Sequence, residues 1–354
     1  MECLNKKIAL ILILSVLKIT TTFASPVLYV PMGNANNLVI IDLTTDKIIG
    51  RINELENAHG LSSSHASEYL VAGSMKPLDV AEQQSMNKPG IVSEEEHAAH
   101  HASKGDAGNI KSPSYISIIH PKHGHVIRRI AVRALSHHTA VSPDGKIAVV
   151  VHSGAGGISI INLDHMSVSK TIDTGQWPNY AVFSKNGAHL YVSNAGDNTV
   201  TEIGSKNWKI TRQLTTGKGP EHMVLGAQGN ILYVVNKADG TASVIDLVSG
   251  HIKQSYKIGN KPHGIDISGN GKLLFVVSKK DNIISRVELS NSTIKTAELS
   301  PAPYHLTYIN GQHKIYVSSR KLAKIWVINP TTLSIQKTIE LDKGIAHQMV
   351  LRND

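Results

Sequence analysis

The chain has one cysteine in 354 residues, at position 3. That scarcity excludes a disulfide scaffold, a cysteine-based zinc finger, a thiolate-ligated iron–sulfur cluster and covalent haem attachment. Aromatic residues make up only 5% and charged residues 18%. No apolar run is long enough to span a bilayer comfortably, and no stable membrane span is expected. The lysines and arginines are scattered singly rather than clustered, which argues against nucleic acid as a partner. A Gly-x-Ser-x-Gly nucleophile elbow is missing, and none of Trp177, Trp208 and Trp326 is followed by aspartate as a WD40 blade would require. Repeated glycine pairs, the mark of kelch blades, are missing too.

What the chain does have begins at its N-terminus. Lys6 and Lys7 precede an apolar run from Ile8 to Leu17 broken only by Ser15, and Thr22 and Ala24 supply small residues before a cleavage point at Ser25. This pattern is that of a secretory signal peptide over residues 1–24, so a periplasmic or secreted protein is expected. Cys3 would leave with it. Loss of three lysines and one glutamate lowers the formal charge from +9 to +7.

The remainder repeats. The segments His138-Thr-Ala-Val-Ser-Pro-Asp-Gly145, Tyr180-Ala-Val-Phe-Ser-Lys-Asn-Gly187, His222-Met-Val-Leu-Gly-Ala-Gln-Gly229 and Gly264-Ile-Asp-Ile-Ser-Gly-Asn-Gly271 place their last glycines 42 residues apart each time. Weaker copies start at His59, His305 and His347. A period of this size belongs to propeller blades or helical repeats, and short β-rich runs with Asn, Asp and Gly turns favour blades. In the clearest unit the runs are Tyr180–Phe183, Leu190–Asn194, Thr199–Ile203 and Ile210–Thr215. Three strand-like runs precede His59 (Val27–Val30, Leu38–Leu43, Ile48–Ile52), six four-strand units follow, and room for one strand remains after His347. The count is twenty-eight strands, or seven four-stranded antiparallel blades in an all-β fold, with the last strand completing the first sheet and leaving no free edge.

Tyr191-Val-Ser-Asn-Ala-Gly-Asp-Asn-Thr-Val200, Tyr233-Val-Val-Asn236 with Ser243-Val-Ile-Asp-Leu247, and Leu28-Tyr-Val30 with Val39-Ile-Ile-Asp-Leu43 resemble YVTN-type repeats, a group that includes cytochrome-d1-like propellers. The resemblance covers nearly all of the mature chain and implies a seven-bladed propeller as a single domain over residues 25–354. It does not imply one function, since propellers host many unrelated sites.

Histidine is abundant, with 19 copies, roughly twice the usual share. If the segment opening each unit is the innermost strand, its first residues rim one mouth of the central channel. His59, His137, His138, His222, His263, His305 and His347 stand there, and only the blade containing Trp177-Pro-Asn-Tyr180 lacks one. Neutral imidazole suits zinc, copper, nickel and iron, so these seven are candidate ligands of a transition metal, copper or zinc first, or of a non-covalent haem. Crowded imidazoles should titrate low because each charge disfavours the next, and Glu221 and Tyr304 are candidate orienting groups. An insertion at about 74–112 in the first complete blade carries further candidates, His97, His100 and His101, in a composition that reads as a mobile loop. By strand direction it should emerge at the same mouth.

The His137-His138 pair is similar to the paired copper ligands of nitrous oxide reductases. Their electron-transfer copper domain needs cysteines, which this chain lacks, so that activity is not implied. Two other functional classes remain open: a propeller hydrolase or lyase, for which Asn179, Glu221 and Asp266 are the nearby oxygen donors, and a non-catalytic scaffold binding another exported protein or a glycan.

Overall fold

The computed structural model describes residues 26–79, 81–82 and 111–352. The expected signal peptide and His97, His100 and His101 lie outside them. Within the described residues the chain is a seven-bladed β-propeller of twenty-eight strands in seven four-stranded antiparallel sheets. Blade 1 is formed by β1 (Val27–Pro31), β2 (Leu38–Asp42), β3 (Lys47–Ile52) and the last strand, β28 (Val350–Arg352), in the order β28-β1-β2-β3. The pairing Val27↔Arg352, Leu28↔Leu351, Tyr29↔Val350 joins the two ends of the chain, as the strand count requires.

The sheets are held face to face by apolar residues. Each of seven buried clusters joins two neighbouring blades; one contains Leu28, Val39 and Ile41 of blade 1 with Tyr316, Ile325 and Val327 of blade 7. The second strand of each unit is the most buried: Leu190–Asn194 and Leu232–Asn236 are buried throughout. The fourth is exposed along nearly its whole length. This gradient follows from radial stacking, since only outer strands meet water.

The 42-residue repeat resolves into one turn used several times. Gly145, Gly187, Gly229 and Gly271 all have φ between 69 and 78°, a conformation glycine reaches without a Cβ clash. In three of these turns a serine three residues earlier fixes the loop: Ser142, Ser184 and Ser268 hydroxyls donate to Asp144, Asn186 and Asn270 and accept the amides of Ile147, His189 and Leu273.

The innermost strands are β4 (Ala58–Ser62), β8 (Thr139–Val141), β12 (Pro178–Phe183), β16 (Pro220–Leu225), β20 (Pro262–Ile267), β24 (Pro303–Ile309) and β28. The strands flanking the insertion are longer than expected. β5 (Leu70–Pro77) and β6 (Ser114–His120) pair as far as Pro77↔Ser114, across a register shift beyond Gly73. Residues 74–77 are therefore strand, and the insertion begins at Leu78.

Candidate metal centre

Five inner strands slip register at the same point: between Ala58 and Leu61, Pro178 and Ala181, Pro220 and Met223, Pro262 and Ile265, and Pro303 and Leu306. A bulge places two residues opposite one and re-aims side chains. Here it frees two successive positions, and both contribute to the channel. The first is occupied by His59, His137, Asn179, Glu221, His263, Tyr304 and His347, and the second by Gly60, His138, Tyr180, His222, Gly264, His305 and Gln348. In β4 and β20 the first-position histidine is followed by glycine, whereas His137 and His347 are followed by His138 and Gln348. A Cβ on Gly60 would lie 2.6 Å from His138 Cα, and one on Gly264 would lie 2.7 Å from the Tyr304 carbonyl oxygen. Glycine thus lets the next inner strand close in.

The seven histidines come together. Neighbouring ring centroids are 4.5 Å apart for His59 and His137, 4.1 Å for His59 and His347, 4.7 Å for His138 and His222, 4.3 Å for His222 and His263, and 4.9 Å for His222 and His305. Three overlapping triads have ligand nitrogens all within 4.8 Å of one another: His59–His137–His138, His59–His305–His347 and His138–His222–His305. His263 belongs to none of them. His138 is fully buried, and His59, His222, His263, His305 and His347 are buried too, because the bulges and glycines draw the strands inward until the rings plug the channel.

The outer nitrogens of four rings face oxygen. His59 Nδ1 lies 2.9 Å from the His137 carbonyl, His137 and His138 Nδ1 lie 3.2 and 2.8 Å from the Asn179 carbonyl, and His263 Nδ1 lies 2.6 Å from the Glu221 carboxylate. A carbonyl can only accept, so in His59 and His138 Nδ1 carries the proton and Nε2 of the neutral ring presents a lone pair. His138 Nε2 and His222 Nε2 are 3.2 Å apart. The buried nitrogens His305 Nε2, His263 Nε2 and His347 Nδ1 have no hydrogen-bond partner.

Burial is the first cause of low titration here, with neighbouring imidazoles second. His59, His138, His222 and His305 are held well below the ordinary histidine value by desolvation, reinforced by the charges of adjacent rings. Burial takes His137 down to about 4 and His347 to about 3. Desolvation also lowers His263, opposed by the Glu221 carboxylate. Glu221 is buried and bonded to both His263 and Lys237, whose ammonium is 2.6 Å away; these partners hold it ionised, well below the usual carboxylate range, against its own desolvation.

Of the expected orienting groups, Glu221 acts on His263 rather than on His222 beside it. Tyr304 stacks on His263 at 4.2 Å with a 6° tilt and meets His305 edge-on. In the blade without histidine, Tyr180 stacks on His222 at 4.5 Å, and its hydroxyl accepts from Gln348. Two cavities flank the plug. One of about 440 Å³ holds His137, Asn179, Glu221, Lys237, His263 and Tyr304. The other, of about 230 Å³, is bounded by Tyr180, His222, Asp266, His305 and Gln348. Desolvation raises Asp266 to about 6 although it accepts the amides of Tyr308 and Ile267.

Two groups of histidines stand apart. His152, deep in the wall, is satisfied by the Leu135 carbonyl and the Ser159 hydroxyl. His120, His123 and His125 cluster at the β6 hairpin, at the opposite end of that strand from Ser114. Sequence reading passed over the paired glycines 60 and 264, Gln348, and the cations Lys237, Lys279 and Arg320 near the mouth. Alignment of the blades at their second strands would have exposed all of them.

A family described as a domain of unknown function (DUF5074) matches residues 65–218. No curated protein matches the chain. Among solved structures, the periplasmic gluconolactonase of Pseudomonas aeruginosa superposes with a TM-score of 0.71 at 14% identity, covering 92% of this chain and 98% of its own. A provisional 6-phosphogluconolactonase from Bacteroides uniformis gives 0.72 at 12% identity, with 93% and 100% covered. Hydrazine synthase of Kuenenia stuttgartiensis gives 0.67 at 14%, with 87% and 93% covered. At these identities the likeness is one of fold. Among the described residues, no helix is long and apolar enough to cross a membrane.

Proposed function

We propose that this protein is an exported β-propeller that binds a transition-metal ion in its channel, through the histidines of the overlapping triads. The observation that carries the reading is the His138–His222 pair, whose Nε2 atoms are 3.2 Å apart with His305 completing the triad. Two imidazoles on one tetrahedral ion, each at 2.0–2.1 Å, hold their nitrogens roughly 3.4 Å apart. The Nδ1 contacts of His59 and His138 to backbone oxygen aim the lone pairs inward, which is how metal-bound histidines are ordinarily oriented. The unpartnered buried nitrogens of His305 and His347 are otherwise a cost with no return. Soft or borderline ions that accept imidazole, copper and zinc first, suit this donor set; calcium and magnesium, which prefer oxygen, do not.

Replacing His138, His222 and His305 together with alanine tests the proposal. Wild-type protein should retain stoichiometric transition metal by elemental analysis after dialysis, and the triple variant should lose it while keeping its β-type circular dichroism. Full metal occupancy in a folded triple variant would overturn the assignment.

A hydrolase acting on a lactone is a second reading. It is favoured by the 440 Å³ cavity over the plug and by two of the structural neighbours. A bound ion there would polarise a carbonyl, and turnover of simple lactones that disappears in the triple variant is the outcome that would promote it.

A further inference from the structure

Three consecutive blades carry a cation at the same place. Strand β17 (Ile231–Asn236) is followed by Lys237, β21 (Leu273–Ser278) by Lys279, and β25 (Lys314–Ser319) by Arg320. The propeller therefore sets the three charges along one arc of the mouth that holds the histidine plug. One carboxylate answers them: Glu221 pairs with Lys237 at 2.6 Å and is also committed to His263. Among the described residues, Lys279 and Arg320 form no ion pair with a carboxylate; both stand over the ring of Tyr304, at 5.4 and 5.3 Å from its centroid. Cation–π contact places a positive group but does not neutralise it. Burial and the charges of Lys237 and Arg320 push the Lys279 ammonium below the ordinary lysine value, opposed by the Glu221 carboxylate.

Lys237 and Lys279 line the 440 Å³ cavity, as does Tyr304, over whose ring Arg320 stands, and the volume is within the size range of small-molecule sites. The same lining includes Trp177, 55% exposed, on a backbone in the left-handed region at φ 52°. An indole held out at that cost beside Lys237 and Lys279 gives the cleft both apolar and electropositive surface. Buried polar atoms of the same lining, Ser153 Oγ and Asn179 Oδ1, also lack partners.

We infer that this cleft binds a small organic oxyanion, its carboxylate or phosphate set against Lys279 and Arg320 and its apolar body against Trp177. None of these three side chains is a proposed metal ligand, although His137 of one triad lines the same cavity.

Metal-free protein, stripped with a chelator, is titrated calorimetrically with phenyl phosphate, benzoate and inorganic phosphate. Phenyl phosphate and benzoate share the ring and differ in the anion, and inorganic phosphate lacks the ring. Saturable binding of at least one aromatic anion is expected. Lys279→Gln with Arg320→Gln should weaken it about tenfold or more, as loss of two charge-assisted contacts implies. Trp177→Ala should weaken the aromatic anions about three- to fivefold and leave inorganic phosphate unchanged. Lys279→Arg, which keeps the charge, should restore most of the affinity lost in Lys279→Gln. All four variants alter exposed or half-buried side chains, and an unchanged thermal midpoint confirms folding. No saturable binding up to 10 mM in wild type, or equal affinity in the double glutamine variant, overturns the proposal and leaves the metal reading untouched.

Discussion

Burying seven histidines, six in the channel and His152 in the wall, has a price that acid should reveal. His59, His137, His138, His152, His222, His305 and His347 are all held neutral by burial, well below the ordinary value of 6.5 or down to about 3–4. A histidine whose folded-state value is depressed supports the fold fully above 6.5 and loses that support as pH falls towards the folded value, because the unfolded chain takes up the proton first. At pH 5.5 each such ring costs about 1.4 kcal/mol, and seven cost roughly 10 kcal/mol. That is of the order of the whole stability of a domain, about 5–15 kcal/mol. Asp266 works in the other direction: raised to about 6, it supports the fold at low pH and withdraws that support as pH rises through 6. A single carboxyl can return only about 3 kcal/mol at most. The metal-free protein should therefore unfold between about pH 6 and pH 5. Urea midpoints followed by circular dichroism at fixed pH would measure the slope, expected near 9 kcal/mol per pH unit below pH 5.5 for seven rings. With His138, His222 and His305 replaced by alanine, four rings remain and the slope should fall to about 5 kcal/mol per unit, whatever the baseline stability. Stability that is flat from pH 7 to 5.5 would refute the reasoning, since the rings would then be taking up protons without cost.

Glu221→Gln removes the charge that orients His263 and pairs with Lys237; if His263 takes part in metal binding, affinity should fall about 10- to 100-fold in a competition titration, and unchanged affinity would reduce His263 to a packing role. Gly264→Ala forces a methyl to within 2.7 Å of a carbonyl on the next inner strand, where backbone cannot yield, and should lower stability by about 1–3 kcal/mol in chemical denaturation while loosening metal retention.

The ring itself was legible because its determinants are local and repeated. A turn whose last glycine recurs every 42 residues is a statement about φ, and φ near 70° at Gly145, Gly187, Gly229 and Gly271 is what the structure shows. Strand counting then forced closure, and Val27–Tyr29 do pair with Val350–Arg352. The site was legible only as a set of residues. That His222 belongs to a triad with His138 and His305, while His263 one blade away is tied to Glu221, depends on a one-residue slip in five of the inner strands. Periodicity cannot see such a slip, because a bulge changes which of two adjacent side chains faces the axis without changing the spacing of the blades. The sequence did carry a trace of it, in the alternation of His59-Gly60 and His263-Gly264 with Tyr304-His305 and Glu221-His222. Read as sterics, a glycine after the first-position histidine means that the neighbouring strand must pass within contact of that backbone. Its second-position histidine is then carried inward against the ring before it. The glycines are thus part of the histidine constellation: they set the inter-strand distance on which any shared ligation would depend.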